Sequence, residues 1–468
     1  MSLSTPISIH QLHCEYQHNP LGLGVLKPRL SWQLAGSGRG IRQSAYRLIV
    51  ADCKALIDKN TGNIWDTQRV ESDRSIHVEY EGRPVRSRQR YYWKVQVWDE
   101  REQPSEWSET ASWEMGLLDE WHAGWISAEI DHPACPYFRY EFKAPAEVAS
   151  ARIYATALGT YELHLNGNRV GDAHFTPGWT SYHNHIQYQP YDVTAQVQAG
   201  KNAIGAIVAD GWYRGHQMVF TGGTQREAYG NRLALRLQLH IDYVDGSTEI
   251  VPTNSQWRSG TGAIQFADHY LGETHDLRLA PAGWSETGFD DSTWAVTHVI
   301  EPAIGKIVAQ DGPLVRKMAE IRPIEILTTP NNETVFDFGQ NMVGWVQLTA
   351  NGPAGTAITL RHAEILDADG NFYTANLRAA DQTVTYILDG NGEQTLEPRF
   401  SFQGFRYVAV NGYPGTLTLD SLVGIVAYSD MGEMGQFECS NPMLNQLQQN
   451  IVWGQRGNFL DLPTDCPQ

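Results

Sequence analysis

A chain of 468 residues with 35 basic and 53 acidic side chains carries a formal net charge of −18. That balance argues against nucleic acid or an anionic membrane as partner and favours neutral ligands. The length exceeds one core and suggests roughly three domains. Forty-three glycines, 15 tryptophans and 21 tyrosines tilt the composition toward turn-rich β structure.

The first twenty residues, MSLSTPISIHQLHCEYQHNP, lack a basic start and a continuous apolar stretch, so no signal peptide is expected. No run of about 18 apolar residues marks a membrane span. Cys14, Cys53, Cys135, Cys439 and Cys466 are scattered and form no CxxC pair, which points away from a disulfide framework or a zinc site. A cytoplasmic, reduced protein is the expectation.

Along the chain the first pattern is period two. YRLIVAD (Tyr46 to Asp52), YYWKVQVWDE (Tyr91 to Glu100) and EWSETASWEMG (Glu106 to Gly116) alternate apolar and polar residues. They predict a fibronectin III/Ig-like β-sandwich over 1–118, with Trp93, Trp98, Trp107 and Trp113 filling or rimming its core. In a second block, 119–318, RLALRLQLHIDYVDG places Leu233, Leu235, Leu237, Leu239, Ile241 and Tyr243 on one strand face. Arg236, Gln238, His240 and Asp242 take the other face, and Asp245-Gly246 supplies the turn. A third block, 319–433, repeats this grammar in VFDFGQNMVGWVQLTANG, AITLRHAEILDADG and FSFQGFRYVAVNGYPG. The fold class is therefore mainly β, three consecutive antiparallel sandwiches, fibronectin III-like and jelly-roll-like.

From 434 to 468 the period changes. Ser440 is the expected N-cap, Pro442 sits in the first turn, and Met443, Leu444, Leu447, Ile451 and Val452 form a helical apolar stripe without a second helix to pack on. Self-association through this face is one expectation.

Several short motifs invite chemistry. GSGRG (Gly36 to Gly40) lacks the Lys-Ser/Thr of a phosphate loop and reads as a plain hairpin or loop. DFG (Asp337 to Gly339) has no kinase companions and reads as strand. HYLGETHD (His269 to Asp276) has metal-ligand residue types at uneven spacing and reads as a polar loop. Asp290 and Asp291 read as solvated turn caps. No strand block marks the paired carboxylates that glycoside hydrolysis needs. TPGWTSYHNHIQYQPYDVT and DGWYRGH crowd Trp179, Tyr182, Trp212 and Tyr213 near His183 and Asn184. Aromatic faces with amides beside them suit a sugar, and they equally suit the end of a sandwich. Trp179, Asn184, Trp212 and Tyr213 are the candidate sugar contacts.

YELHLNGNRVGD, TPGWTSY, YDVT, DGWYRG, GETHDLR, DFGQNMVGWVQL, LRHAEILDADGNFYTANLRAADQTVTYIL and PRFSFQGFRYVAVNGYPG occur in that order. This series resembles the N-terminal β part of bacterial α-L-rhamnosidases, glycoside hydrolase family 78. The resemblance covers essentially the whole chain. It implies that LPTDCPQ leads into Arg-Asp-Glu-Arg-Leu-Gly-Trp of an (α/α)6 catalytic barrel, so that the chain stops just before the general-acid glutamate.

On the same resemblance Asp465 matches an aspartate that hydrogen-bonds rhamnose, and the helix after Ser440 is the first barrel helix. No catalytic residue is expected within the chain. The mechanism implied for the complete enzyme is inverting, with one carboxyl as acid and a distant one as base. Some family members hold calcium at a rhamnose site through an Asp-Asn pair. Ser181 to Asn184 stands in that region without the acidic ligand, so no cofactor is expected and calcium is the alternative. The expected partners are rhamnose-containing glycosides. Two alternatives are a stand-alone carbohydrate-binding protein and a scaffold module.

Overall fold

The computed structural model describes residues 7–36, 39–130, 133–218 and 224–464. The chain divides into two compact units, residues 1–121 with 307–311, and the remainder.

In the first unit the main strands are β1 (Ser8–Cys14), β2 (Arg29–Ala35), β3 (Ala45–Ala51), β4 (Val78–Glu79), β5 (Arg90–Trp98) and β6 (Ala111–Glu114). One sheet runs β1-β2-β4, and a second holds β3-β5-β6 in antiparallel register. Burial alternates strictly along β5, with Tyr91, Trp93, Val95 and Val97 inside. That is the outcome of period-two spacing when one strand face packs and the other is wetted. Trp93 and Trp113 are fully buried. Trp98 and Trp107 lie at the edge under the guanidinium groups of Arg69 and Arg47, at 5.1 and 5.8 Å.

The second unit opens with a sandwich of β7 (Pro136–Ala144), β8 (Val148–Leu158), β9 (Thr160–Leu165), β10 (His185–Asp192), β11 (Gly200–Ala209), β12 (Ala234–Tyr243) and β13 (Arg258–Thr261). One sheet contains β9-β11-β7-β13 and the other β12-β8-β10. Leu235, Leu237, Leu239 and Ile241 of β12 join Phe138, Ile153, Ile204 and Trp257 in the core between them. The opposite face of β12 is covered rather than wetted. Gln238 and His240 are buried there, and Gln238 Oε1 accepts the backbone N–H of His122 at 2.7 Å.

A further sheet is built mainly from β14 (Ile264–Asp268), β15 (Gly272–Asp276), β16 (Val315–Ile321), β17 (Thr334–Ala350), β18 (Ala357–Ala363), β19 (Thr383–Ile387), β20 (Gln403–Asn411) and β21 (Leu422–Ser429). They form one sheet in the order β14-β15-β19-β18-β20-β17-β21-β16. β17 breaks register between Asp337 and Met342, with Gly339 at φ 71°. Such an irregularity bends a strand, and Phe336, Leu360, Phe405 and Val426 gather in one core.

The mainly β fold is as expected, with two local departures. His269 to Asp276 is not a polar loop: its second half is β15, which pairs in parallel with β19, Glu273 opposite Val384. Residues before 318 thus belong to the sheet of the third block, and the two blocks fall into one compact unit. Asp291 is no solvated cap either, because it pairs with the buried guanidinium of Arg139.

The one long helix among the described residues, α1 (Pro442–Gly457), begins at Asn441, one residue after the expected cap. Asn441 Oδ1 accepts the N–H of Met443 at 3.0 Å, the bond an N-cap side chain supplies. Met443, Leu444, Leu447 and Ile451 are exposed along it, while Trp453 packs against the third core.

Candidate functional site

After α1 the chain makes a tight hairpin, Phe459–Leu460 against Leu462–Pro463, with Asp461 at its tip at φ 70°. Leu460 is fully buried in a cluster with Phe175, Trp212, Trp345, Phe402 and Ile425. Asp461 donates its backbone N–H to Ser429 Oγ at 2.9 Å, and its carboxylate accepts the backbone N–H of Trp179 at 2.6 Å. Gly178 makes this approach feasible. Its φ is +93°, and a Cβ there would stand 2.4 Å from Asp461 Oδ1. The segment that leads to Asp465 is therefore docked on the loop around Trp179. Asp465 itself lies outside the described residues, as do Cys466 and two positions of the GSGRG loop, Ser37 and Gly38.

Trp179 is half-buried. Its ring stacks on Trp212 at 6.0 Å and 11°, and its Nε1 donates to Tyr229 Oη at 3.0 Å. Trp212 and Tyr213 are not surface residues: they are 7% and 6% exposed, on a short helical turn, Gly211–Arg214. Trp212 rests on His269 at 4.3 Å, and Tyr213 meets the buried Tyr182 at 5.2 Å. An aromatic ring loses apolar area to solvent unless it is covered, and here the ends of two β layers cover these two. Asn184 is exposed, its Nδ2 donating to Ser181 Oγ at 2.8 Å, in a turn pinned where Asn184 O accepts the N–H of Lys306 at 3.0 Å. Trp179 and Asn184 thus remain accessible, whereas Trp212 and Tyr213 form the floor beneath.

Sequence reasoning passed over Tyr229 and Asp461, which hold Trp179 from two sides. The available signals were a tyrosine next to glycine in REAYGNR and an acidic residue inside the apolar FLDL. Burial drives the His269 imidazole down to about 4, so the ring under Trp212 is neutral at physiological pH.

Two carboxylates, Glu162 of β9 and Glu397, border one cavity of about 290 Å³. Both are clamped. Glu162 pairs with Arg399, with His164 Nε2 at 2.8 Å and with Arg169 Nε at 3.2 Å. Burial alone would raise the Glu162 carboxyl, but Arg399, His164 and Arg169 outweigh it and hold the group far below the usual carboxylate range. Glu397 accepts from Lys317 Nζ at 2.7 Å and Trp345 Nε1 at 3.1 Å. Glu162 has no proton to give near neutrality, so it does not fit the general acid of a glycosidase.

Calcium finds no suitable donor set where the resemblance would put it. Ser181 to Asn184 carries no carboxylate, and among the described residues no group of three or more His, Cys, Asp or Glu side chains is placed to hold a metal ion.

Four domain families match the chain in order. They are the Rha78A-like N-terminal immunoglobulin domain over 9–119, the α-L-rhamnosidase N-terminal domain over 146–319, the bacterial α-L-rhamnosidase concanavalin-like domain over 327–428 and the bacterial α-L-rhamnosidase 6 hairpin glycosidase domain over 432–468. A crystal structure of the Streptomyces avermitilis α-L-rhamnosidase complexed with L-rhamnose superposes with a TM-score of 0.94 at 34% identity, over 98% of this chain and 61% of that one. The native Aspergillus terreus enzyme gives 0.91 at 38% identity, over 99% and 54%. An α-L-rhamnosidase of Formosa agariphila is 36% identical over 96% of this chain and 50% of its own length. The chain spans about half to three-fifths of the length of these relatives. With four consecutive domain matches and this likeness over nearly all of its length, the chain belongs to the bacterial α-L-rhamnosidase family.

Proposed function

We propose that this chain is the β-rich, substrate-side part of an enzyme that releases terminal α-L-rhamnosyl residues from glycosides with inversion, and that the chain by itself does not hydrolyse them. The observation that carries this reading is the docking of the Phe459–Pro463 hairpin against Gly178 and Trp179. It holds the approach to Asp465 beside an accessible aromatic ring, as a rhamnose-contacting aspartate requires. Asp465 would hydrogen-bond the sugar, with Trp179 and Asn184 at the rim. Trp212 and Tyr213 would act by holding Trp179 and Tyr182 in place. The β domains would brace the remaining barrel, whose helices would cover the apolar face of α1. A cytoplasmic setting fits the scattered cysteines, of which Cys14, Cys53, Cys135 and Cys439 are free thiols.

The test is turnover of an aryl α-L-rhamnoside by the purified 468-residue protein. The expected rate is that of a mock preparation. A rate well above it would place the acid and base within these residues and overturn the reading. A second reading, a scaffold module that associates through α1, is favoured by the exposure of Met443, Leu444, Leu447 and Ile451.

A further inference from the structure

The cavity of about 290 Å³ beside Glu162 lies apart from the hairpin and Trp179, and its walls come from β9, β15, β19 and the segment 395–399. At about 30 Å³ per water molecule it has room for roughly ten waters, the space of one small ring with its hydroxyl groups. Its charges balance: Glu162 and Glu397 face Arg169 and Arg399. His174, also in the wall, is driven down to about 3 by burial and by Arg169, and adds no charge.

Three groups there have hydrogen-bonding capacity left over. Tyr386 is fully buried, and its hydroxyl has no hydrogen-bond partner among the described residues, although Glu273, Glu397 and Arg399 lie within electrostatic reach. Leaving a buried hydroxyl unpaired costs on the order of 1–3 kcal/mol, so a bound group that satisfies it is favoured. Arg399 uses Nη1 on Glu162 and keeps 42% of its side-chain surface accessible in the cavity wall. Glu397 accepts three bonds, two from Lys317 and one from Trp345, where a carboxylate offers about four lone-pair sites.

We propose that this cavity binds a neutral polyhydroxylated ring the size of one monosaccharide, with a hydroxyl pair bridging Glu397 and Arg399 and a third hydroxyl on Tyr386 Oη. A hydroxyl donates to a carboxylate while accepting from a guanidinium, so alternating carboxylates and guanidiniums match neighbouring hydroxyls. A phosphate would meet Arg169 and Arg399 but also the two carboxylates at close range, and like charges oppose it. The site is independent of any role for Asp465.

Titration calorimetry of the 468-residue protein with L-rhamnose, myo-inositol and inorganic phosphate tests this. At least one neutral probe is expected to bind in the millimolar range, and phosphate is expected to give no heat. Tyr386→Phe keeps the ring and removes the hydroxyl, and should weaken binding by roughly threefold to tenfold, the worth of one hydrogen bond. Thr395→Val, in the same wall, gives the parallel reading if Tyr386→Phe does not fold. Silence from both neutral probes, preferential phosphate binding, or binding that neither wall variant weakens would each overturn the proposal.

Discussion

The carboxylate of Asp461 receives the backbone N–H of Trp179 at 2.6 Å, joining residues 282 positions apart. The bond ties the last described hairpin to a loop of the first sandwich in the second unit. Asp461→Ala removes a charged acceptor from a part-buried N–H and should cost about 1–3 kcal/mol locally. Limited proteolysis is the readout: cleavage after α1 should accelerate in the variant while the β domains stay intact. Unchanged cleavage would mean that Leu460 burial alone holds the hairpin.

Gly272 permits the parallel pairing of β15 with β19. Its φ is +110°, and a Cβ there would meet the Thr383 carbonyl at 1.9 Å. Gly272→Ala should therefore lower stability by at least about 2 kcal/mol, since strained backbone and a blocked strand contact add. Urea unfolding followed by tryptophan fluorescence measures it.

Glu162→Gln leaves Arg399 and Arg169 without their shared carboxylate. Removing one partner of a buried ion pair costs on the order of 3–5 kcal/mol. The sign of the pH effect follows from the depressed carboxyl. The unfolded chain protonates Glu162 near its ordinary value of 4.5, while the folded chain keeps it ionised far lower. The stabilisation is complete above about pH 5 and is lost as pH falls below it. The wild-type protein should lose stability more steeply than Glu162→Gln below pH 4.5, as urea midpoints across pH would record.

Histidines open an earlier window. Burial drives His362 from 6.5 down to about 4, and His269 likewise, against the pull of neighbouring carboxylates on the latter. Between those values the unfolded chain takes up protons that the folded chain refuses, so stability declines as pH drops from about 6.5 toward 4. His362→Gln should flatten the decline between pH 7 and pH 4.5, at some cost from the lost bond between His362 Nδ1 and Gln382 O.

Leu444 and Leu447 lie exposed on α1. Leu444→Glu with Leu447→Glu should change the melting temperature little, because surface substitutions stay within about 0.5 kcal/mol. If α1 mediates association, sedimentation velocity will show dimers in the parent protein and monomers in the double variant.

What the sequence determined by itself is what repeats locally. Strict alternation in YYWKVQVW and in the Leu233 to Tyr243 run dictates strands, because side chains switch faces at every residue and the apolar set lands together on the face that packs in the core. Likewise the ordered motifs, and Pro442 opening an apolar stripe, were enough for the family and for α1, although the cap is Asn441 and not Ser440. Tertiary structure alone decided what depends on partners far apart in the chain. β15 joins the third sheet because β19, more than a hundred residues later, offers a parallel edge, and Glu273 accepts the N–H of Arg399 at 3.0 Å across 126 positions. The same holds for the covered polar face of β12, the burial of Trp212 and Tyr213, and the clamp of Arg399 on Glu162. Burial and ion pairing are sums over spatial neighbours, and spacing along a chain carries no record of which neighbours will arrive.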